Sequence, residues 1–537
     1  MATTPLAKLP QGTVPKRVTV APRGHRAIFY NSLSMLMPFL VNLVVVFLLS
    51  PVMVKALGNR DYGIWEVLLG VVGYLGVLDM GMGPALVRYV SHAKEREDQQ
   101  ALEQTLHTGL LALTFAGSVA FLGIALLPFL PKQVSPLPPT EARALAPLLL
   151  LLGGNLFLSF PNTGLGAYLL GLQKHRFVNL YIVATTIVEA VTAYLILVSD
   201  TPNKLMLLCL MKLLSSAIRS IVYVVWIAKT NVQVTPSFRL FRWPFCWQMV
   251  NFGLKNSLLF AAYTLIRSLI LLVITHFVGV AAVVFFVIPS RLVEYAYAPA
   301  DALGQPLFPF FTALAAKSDV AAARTVWLHT TRLLQVVTLG TTIAIVWLGE
   351  PFIRRWMGPE YATLGYMPLL ILTVGLLMRG VAVNASRLLM SLACHGQIAV
   401  FTIMAAIGFV LLSAPLTHAA GIIGAALSVA MFMVTVGWWE IVSASRKLRI
   451  SATKFILSTL TRFAAPCLVA SLTFRLLLSY AYPATYPTIA LHAILGGGVY
   501  LLIAFRFSLS VEDRRFLRGF TSTIQIGSAE APGMYPN

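Results

Sequence analysis

Residues 55–98 read KALGNRDYGIWEVLLGVVGYLGVLDMGMGPALVRYVSHAKERED. A short polar stretch containing Gly58 leads into the apolar run Ile64 to Val87, which has the length of a membrane-spanning helix. Lys and Arg residues gather after this run, as they do at the cytoplasmic ends of membrane helices. The stretch therefore predicts one helix that crosses a bilayer and ends in the cytoplasm.

The composition extends this prediction to the whole chain. Hydrophobic residues make up 58% of the 537 positions and charged residues only 11%, with a mean hydropathy of +0.81. Such a chain has too little charge to cover a soluble core, so the bilayer must be its solvent. The formal net charge of +21 comes from short clusters between apolar runs. Topology signals and anionic head groups explain these clusters, and we expect no nucleic-acid partner.

Apolar runs recur along the chain and predict an all-α polytopic membrane protein of about fourteen transmembrane helices. Six runs precede a basic linker and six follow it, which indicates two lobes. The predicted divisions are a cytoplasmic N-terminal tail (1–27), a first lobe (28–228), a cytoplasmic linker (229–248), a second lobe (249–445), helices 13 and 14 (446–506) and a cytoplasmic C-terminal tail (507–537).

The orientation follows from the forty Lys and Arg residues, most of which fall in cytoplasmic segments if the N-terminus is inside. We therefore expect both termini in the cytoplasm and a location in a bacterial inner membrane. A faint internal repeat supports two lobes, because three residues of the first half recur about 221 residues later. The pairs are Gly58 and Gly279, Asp79 and Asp301, and Asp98 and Asp319.

The opening stretch resembles the second-helix signature of the polysaccharide biosynthesis, or O-antigen, flippases. In that family a loop L-G-x-x-x-Y-G leads into a helix with a D-x-G-x-x-x-A-x-x-R-like end. The matching residues here are Leu57, Gly58, Tyr62, Gly63 and Trp65, followed by Asp79, Gly81, Ala85 and Arg88. A second echo, at Gly349 to Leu372, resembles the family's outer loop before the tenth helix.

The resemblance implies the multidrug/oligosaccharidyl-lipid/polysaccharide exporter superfamily, whose members have two six-helix lobes around a central cavity. Some lipid flippases add two C-terminal helices, which the runs between Phe455 and Phe505 would match. The resemblance therefore favours a lipid flippase over a drug extruder.

Charged side chains inside spans are candidates for the site, because a charge at the bilayer centre costs about 2.5 to 3.5 kcal/mol on insertion scales. Cations and an amide at helical spacings predict a basic cavity for an anionic diphosphate. These residues are Lys212, Arg219, Lys255, Asn256, Arg267 and Arg291. Arg291 is also expected to pair with Glu294 within one helix. Neutralisation between neighbours, or reach to an interface, is the structural alternative.

Polar and acidic residues complete the candidates. Amides suited to sugar hydroxyls, or alternatively to hydrogen bonds between helices, are Asn31, Asn42, Asn155 and Asn162. Acids that could exchange a proton or hold a sodium ion as a cavity opens are Asp79, Glu189, Glu294 and Asp301. Each acid also has a structural interpretation, such as helix capping by Asp79.

Several chemical motifs are absent from the sequence. It contains no GxxxxGK[ST], HExxH or GxSxG motif, and its four cysteines have no CxxC spacing. We therefore expect no ATP hydrolysis, no catalytic residue, no metal and no bound cofactor, with a proton or sodium gradient as the candidate driving force.

The predicted function is a secondary transporter, not an enzyme, that flips a polyprenyl-diphosphate-linked oligosaccharide to the outer leaflet for polysaccharide assembly. Its expected partners are this glycan and membrane lipids, with a polysaccharide polymerase and glycosyltransferases as candidates. Two alternatives stay open: a cation-coupled small-molecule extruder on the same fold, and a membrane polymerase or glycosyltransferase. A strongly positive cavity would favour the flippase, and an acidic or apolar one the extruder.

Overall fold

The computed structural model of the chain describes residues 24–129, 144–229 and 238–515, and the side chains in these ranges except at 24–36, 238, 255–261 and 460. Nearly all of the described residues are helical, and none of them lies in a strand. The predicted all-α class is confirmed. Most of the two predicted tails, part of the predicted linker and residues 130–143 lie outside the described residues.

The structure describes six helical segments in the first lobe. They are α1 (Gly24–Gly76), α2 (Met82–Glu95), α3 (Gln99–Leu126), α4 (Ala146–Gly171), α5 (His175–Val198) and α6 (Lys204–Ala228). α1 consists of two helices joined at Gly58, whose φ of 75° is in the left-handed region that glycine tolerates best. Between α1 and α2 a short 3-10 turn, Val77–Asp79, interrupts the second crossing.

The second lobe and the C-terminal helices follow. They are α7 (Trp243–Phe277), α8 (Val283–Gly304), α9 (Leu307–Ala316), α10 (Val320–Trp356), α11 (Pro359–Ser391), α12 (His395–Lys447), α13 (Ala452–Tyr480) and α14 (Tyr486–Ile503). α12 is again two helices, joined at Ala420 and Gly421. α7 begins inside the predicted linker, and Pro244 is tolerated in its first turn, where a backbone N–H would have no partner within the helix.

The helix lengths agree with the predicted number of crossings. In the described part of the chain, 11 helical stretches are long and apolar enough to cross a membrane. Two of them, Met37–Glu95 and His395–Lys447, contain the breaks and are long enough to cross twice. Ala262–Phe277 is a further, shorter apolar stretch. The prediction of about fourteen spans is therefore consistent with the fold.

The internal repeat has a structural counterpart at two of its three positions. Gly58 (φ 75°, ψ 169°) and Gly279 (φ 114°, ψ 155°) occupy corresponding turns before a helix. Asp98 and Asp319 each cap the next helix, since each carboxylate accepts a hydrogen bond of 2.9 Å from the backbone N–H three residues later. The two lobes therefore share local structure at these junctions.

The two lobes pack against each other at the end of the bundle that contains the Gly58 turn, which we call the Gly58 end. A Cβ atom on Gly63 would lie only 2.1 Å from the carbonyl oxygen of Val280, so the first lobe approaches the second at backbone distance. The indole N–H of Trp356 donates a 2.8 Å hydrogen bond to the carbonyl of Phe47. By the predicted topology, the Gly58 end is the outer one.

Candidate functional site

A cavity of about 230 Å³ lies where the second lobe meets the first. We call it the interlobe cavity. α7, α8, α11 and α12 supply most of its lining, and α1 contributes Glu66. The lining is largely apolar, and its charged residues are Glu66, Arg267, Glu294 and Arg379. A largely apolar cleft with a few convergent charged groups is typical of ligand sites between helices.

Arg291 does not line this cavity, contrary to the prediction. Its Nη2 atom lies 2.5 Å from Oε1 of Glu66, and its Nη1 atom donates to the hydroxyls of Ser50 (3.1 Å) and Tyr62 (2.9 Å). These three partners all belong to α1 in the first lobe. Because an unpartnered cation is expensive in an apolar interior, this set of acceptors fixes Arg291 as a tie between the lobes.

The predicted pair of Arg291 with Glu294 is therefore not the one that forms. Glu294 instead pairs across to α7, where the Nη1 atom of Arg267 lies 3.0 Å from its carboxylate. Both groups are accessible, with the Arg267 side chain 60% exposed and that of Glu294 42% exposed. Helical spacing placed Glu294 within reach of Arg291, but the first lobe offers Arg291 more acceptors. Spacing within one helix does not show such contacts with another helix.

Two arginines on α11 were not predicted as site residues. The Arg379 guanidinium lies 4.8 Å from the ring centre of Tyr263 and 4.3 Å from that of Tyr297, in cation–π contact with both. Arg387 donates two hydrogen bonds of 2.8 Å to Asp301, one to the carboxylate and one to the backbone carbonyl. The predicted coupling acid Asp301 is therefore half of an ion pair.

The charges around the interlobe cavity are largely paired. Arg267, Arg291 and Arg387 each have a carboxylate partner among the described residues, and two aromatic rings hold Arg379. The strongly basic cavity that we expected is thus not what the structure shows. At Arg267, an anionic ligand would have to exchange partners with the carboxylate of Glu294.

Lys212, Arg219 and Glu189 lie in the first lobe, away from the interlobe cavity. Lys212 Nζ is 2.6 Å from Oε2 of Glu189, and the other carboxylate oxygen, Oε1, accepts a hydrogen bond from the Ser215 hydroxyl. Glu189 and Ser215 line a separate, mainly apolar groove of about 540 Å³ between α5 and α6. Arg219 lies near Tyr181, at the same groove. The structure therefore does not bring these cations together with those of α7 and α8.

The first-lobe amides bind neighbouring helices. The Oδ1 atom of Asn155 accepts from the Ser216 hydroxyl at 2.6 Å, and Asn162 donates to the carbonyl of Ser216 and accepts from Ser220. Both amides thus join α4 to α6, which is the helix-packing alternative. Asn42 is exposed on α1.

Asp79 caps the interruption of the second crossing. Its carboxylate accepts a 2.8 Å hydrogen bond from the N–H of Gly81, which supports the structural interpretation. Three further predicted residues have side chains outside those that the structure describes: Asn31, Lys255 and Asn256.

Four charged residues of the site region were not predicted from the sequence: Glu66, Arg379, Arg387 and Glu440. Glu66, Arg379 and Glu440 lie inside predicted spans, where the cost of a buried charge could have identified each one. Glu440 is 6% exposed and Arg387 is 7% exposed, so neither is a surface charge. Arg387 follows the apolar run Thr363 to Val383, so the sequence did not predict it to lie within a span.

The L-G-x-x-x-Y-G stretch gains a physical explanation from these contacts. Gly58 supplies the turn, the Tyr62 hydroxyl accepts a hydrogen bond from Arg291, and Gly63 lets the Val280 carbonyl approach. The stretch therefore builds the contact between the lobes at the Gly58 end.

Comparisons with known proteins agree with this architecture. Residues 26–314 match the family model described as "Polysaccharide biosynthesis protein". No curated protein sequence matches the chain. Among solved structures, the lipid II flippase MurJ in an inward closed conformation is similar with a TM-score of 0.67 and 14% identity, covering 91% of this chain and 99% of that one.

A multidrug resistance MATE family transporter of the MOP superfamily, in an inward-facing conformation, gives a TM-score of 0.63 at 15% identity. It covers 78% of this chain and 96% of that one. An outward-facing MATE structure gives 0.55 at 14% identity, covering 79% and 96%. The chain thus has the fold shared by these flippases and transporters. Because the family model spans more than half of its length, the chain belongs to the polysaccharide biosynthesis protein family.

Proposed function

We propose that this protein flips a polyprenyl-diphosphate-linked oligosaccharide from the cytoplasmic to the outer leaflet of a bacterial inner membrane. The main support for the proposal is that Arg267 places an accessible guanidinium in the cavity between the two lobes. A guanidinium offers forked donors that match a phosphate, and such charge-assisted hydrogen bonds are stronger than neutral ones.

The cavity offers the charged head group a path across the bilayer. Hydrocarbon excludes a charged head group, whereas the lipid tail can stay in the bilayer throughout. A site between two lobes can receive the head group on one side and release it on the other as the lobes rock. Because Glu294 already neutralises Arg267, the head group exchanges with a carboxylate and is not held too tightly for release.

The family and the length of the chain both support a lipid substrate. The matched family is one of polysaccharide biosynthesis. MurJ, which its description names a lipid II flippase, covers 91% of this chain, whereas the MATE structures cover 78% and 79%. The difference in coverage corresponds to a length of chain similar to that of α13 and α14, the two C-terminal helices expected of lipid flippases.

Energy coupling and partners belong to the same proposal. A proton or sodium gradient would act through an accessible acid, and Glu294 suits this role best, since the cavity exposes its carboxylate. A polymerase and glycosyltransferases would consume and supply the lipid-linked glycan. We infer no enzymatic activity for this chain.

The test is a flipping assay in proteoliposomes that contain a polyprenyl-diphosphate oligosaccharide with a fluorophore on the sugar. A membrane-impermeant quencher reports how much of it reaches the outer leaflet. We expect the purified protein to speed this movement, and not that of the same glycan on a neutral lipid. No acceleration, with transport of a cationic drug in the same vesicles, would favour the extruder. Chain elongation of the glycan would favour a polymerase.

A further inference from the structure

Four charged residues form a continuous row from the first lobe to α7. Glu66 on α1 bonds Arg291 on α8 at 2.5 Å, and Glu294 on α8 bonds Arg267 on α7 at 3.0 Å. Arg291 and Glu294 are three residues apart in one helix, which places their side chains on neighbouring positions of the same face. Helical spacing therefore allows a third pair within the row, Arg291 with Glu294.

We infer that this row is an anion-operated switch, in which a phosphate that binds Arg267 releases Glu294, and Glu294 then draws Arg291 away from Glu66. The inference rests on the proposed function and deepens it. It names a diphosphate as the operating ligand, Arg267 as its receptor, and Glu294, Arg291 and Glu66 as the residues that convey its arrival to the contact between the lobes.

The two existing pairs differ in the way that such a switch requires. Arg267 and Glu294 are 60% and 42% exposed, so a ligand in the cavity can reach the pair, and water already weakens it. Arg291 and Glu66 are 16% and 7% exposed, so their bond is shielded and holds the lobes together. The accessible pair therefore yields to the ligand first, and the shielded pair responds.

The exchange keeps Arg291 and Glu294 partnered. Before the ligand binds, the row is paired as Glu66 with Arg291 and Glu294 with Arg267. Afterwards the phosphate holds Arg267 and Glu294 holds Arg291, which takes the cation away from Glu66. Glu66 already lines the interlobe cavity, so water entering between the separating lobes can solvate it. A Glu66 that has lost its cation thus favours the opened arrangement.

Only an anion operates this switch. A neutral lipid alcohol has no charge with which to displace Glu294, and a cation would strengthen the hold of Glu294 on the cavity side. The row therefore provides selectivity in the conformational step as well as in binding. This explains why the cavity is charge-paired, although its substrate is expected to be an anion.

The experiment measures the distance between spin labels on the two lobes at the Gly58 end. Labels are placed on cysteines at Asp200 and Glu360, both exposed, after the four native cysteines are replaced. The probe is geranylgeranyl diphosphate added to the full chain in detergent, and the matched control is geranylgeraniol. For the parent we expect the diphosphate to lengthen the distance and the alcohol to leave it unchanged.

Two variants distinguish a switch from a structural role. Glu294 and Arg267 form one ion pair, yet their substitutions should change the distance between the labels in opposite ways. In Glu294→Gln, the diphosphate should bind up to about fivefold more tightly, which is the worth of an exposed ion pair, yet should not lengthen the distance. In Arg267→Gln, Glu294 is released to Arg291, so the long distance should be populated without any ligand. Glu350→Gln, which removes an acid paired with Arg354 outside the cavity, is the control and should behave like the parent.

Each result decides between the alternatives. If Glu294→Gln opens with the diphosphate as the parent does, or if Arg267→Gln stays closed, the switch is wrong, while the proposed flipping activity stands on its own assay. If the parent binds the diphosphate no better than the alcohol, both the switch and the anionic substrate are wrong. Should one variant fail to fold, the other still gives the opposite expectation and decides the question alone.

Discussion

Glu66 and Arg291 lie 225 residues apart in the chain, and a 2.5 Å bond between Oε1 and Nη2 joins the first lobe to the second. The hydroxyls of Ser50 and Tyr62 complete the set of acceptors around the guanidinium. The bond is shielded from water and lies near Gly63, where the lobes approach each other at backbone distance. We regard it as the main tie at the Gly58 end.

Replacing Glu66 by Gln should destabilise the protein by about 3 kcal/mol, because it leaves the Arg291 charge buried without a counter-charge. The matched control is Glu350→Gln, whose pair with Arg354 is more exposed and should cost at most about 1 kcal/mol. The measurement is unfolding by sodium dodecyl sulfate in mixed micelles. If both variants lose the same free energy of unfolding, the Glu66–Arg291 pair contributes no more to stability than an exposed pair.

Gly63→Ala should cost about 1 to 3 kcal/mol, since the new methyl group would collide with the backbone of Val280, which cannot rotate away. Gly76→Ala is the control, because a methyl group added there would meet no heavy atom within 4 Å among the described residues. The same unfolding titration compares them. If Gly63→Ala is as stable as Gly76→Ala, the close approach of the lobes is not needed for stability.

The fold could be predicted from the sequence because its determinants are local. Apolar runs of spanning length and the positive charges between them lie within short segments, and each can be recognised alone. The turn at Gly58 and the helix cap at Asp98 likewise depend on neighbouring residues, so their repetition at Gly279 and Asp319 was visible as spacing.

The site was predicted less well because its partners are distant in the chain. Spacing along α8 correctly suggested that Arg291 and Glu294 share a face, but the choice of partner depends on α1 and α7. Glu66 is a single acid inside an apolar run, and no spacing in the sequence indicates that its partner is Arg291. Arg379 contacts two aromatic rings, those of Tyr263 and Tyr297, which belong to other helices. The spacing of residues within α11 does not predict these contacts.

The segment after α14 should be held by a pH-dependent contact. Burial of the Asp513 carboxylate raises its pKa, but the hydrogen bonds from His329 and Ser510 and the charge of Arg332 outweigh burial and hold the pKa below its usual range. The ionised carboxylate therefore stabilises the folded protein above the unfolded pKa of about 3.9, and this contribution is lost as the pH falls through the lower folded value.

Asp513→Asn should accordingly be less stable than the parent at pH 7, and the gap should shrink below about pH 4. Unfolding titrations at a series of pH values give the gap directly. Glu512→Gln, which changes the exposed neighbouring acid, should show little difference from the parent at any pH. A gap for Asp513→Asn that stays constant between pH 7 and acid would contradict an ionised carboxylate.

Both chain termini are expected on the cytoplasmic side, as the distribution of Lys and Arg requires. A reporter that is active only in the cytoplasm, fused after Asn537, should be active, and a periplasmic reporter at the same position should not. The fusion at Ser199, in the predicted outer loop between α5 and α6, should give the reverse pattern. Periplasmic activity after Asn537 would require an odd number of crossings.

The most direct test of the central claim is the flipping rate of Arg267→Ala in proteoliposomes with a fluorescent polyprenyl-diphosphate oligosaccharide. Loss of one charge-assisted contact to the diphosphate should slow flipping at least about tenfold, and Arg267→Lys should recover part of the rate. Arg354→Ala, at an arginine outside the cavity, is the control, and reconstituted protein is quantified for each variant. Flipping by Arg267→Ala at the parental rate would contradict a diphosphate bound in the interlobe cavity.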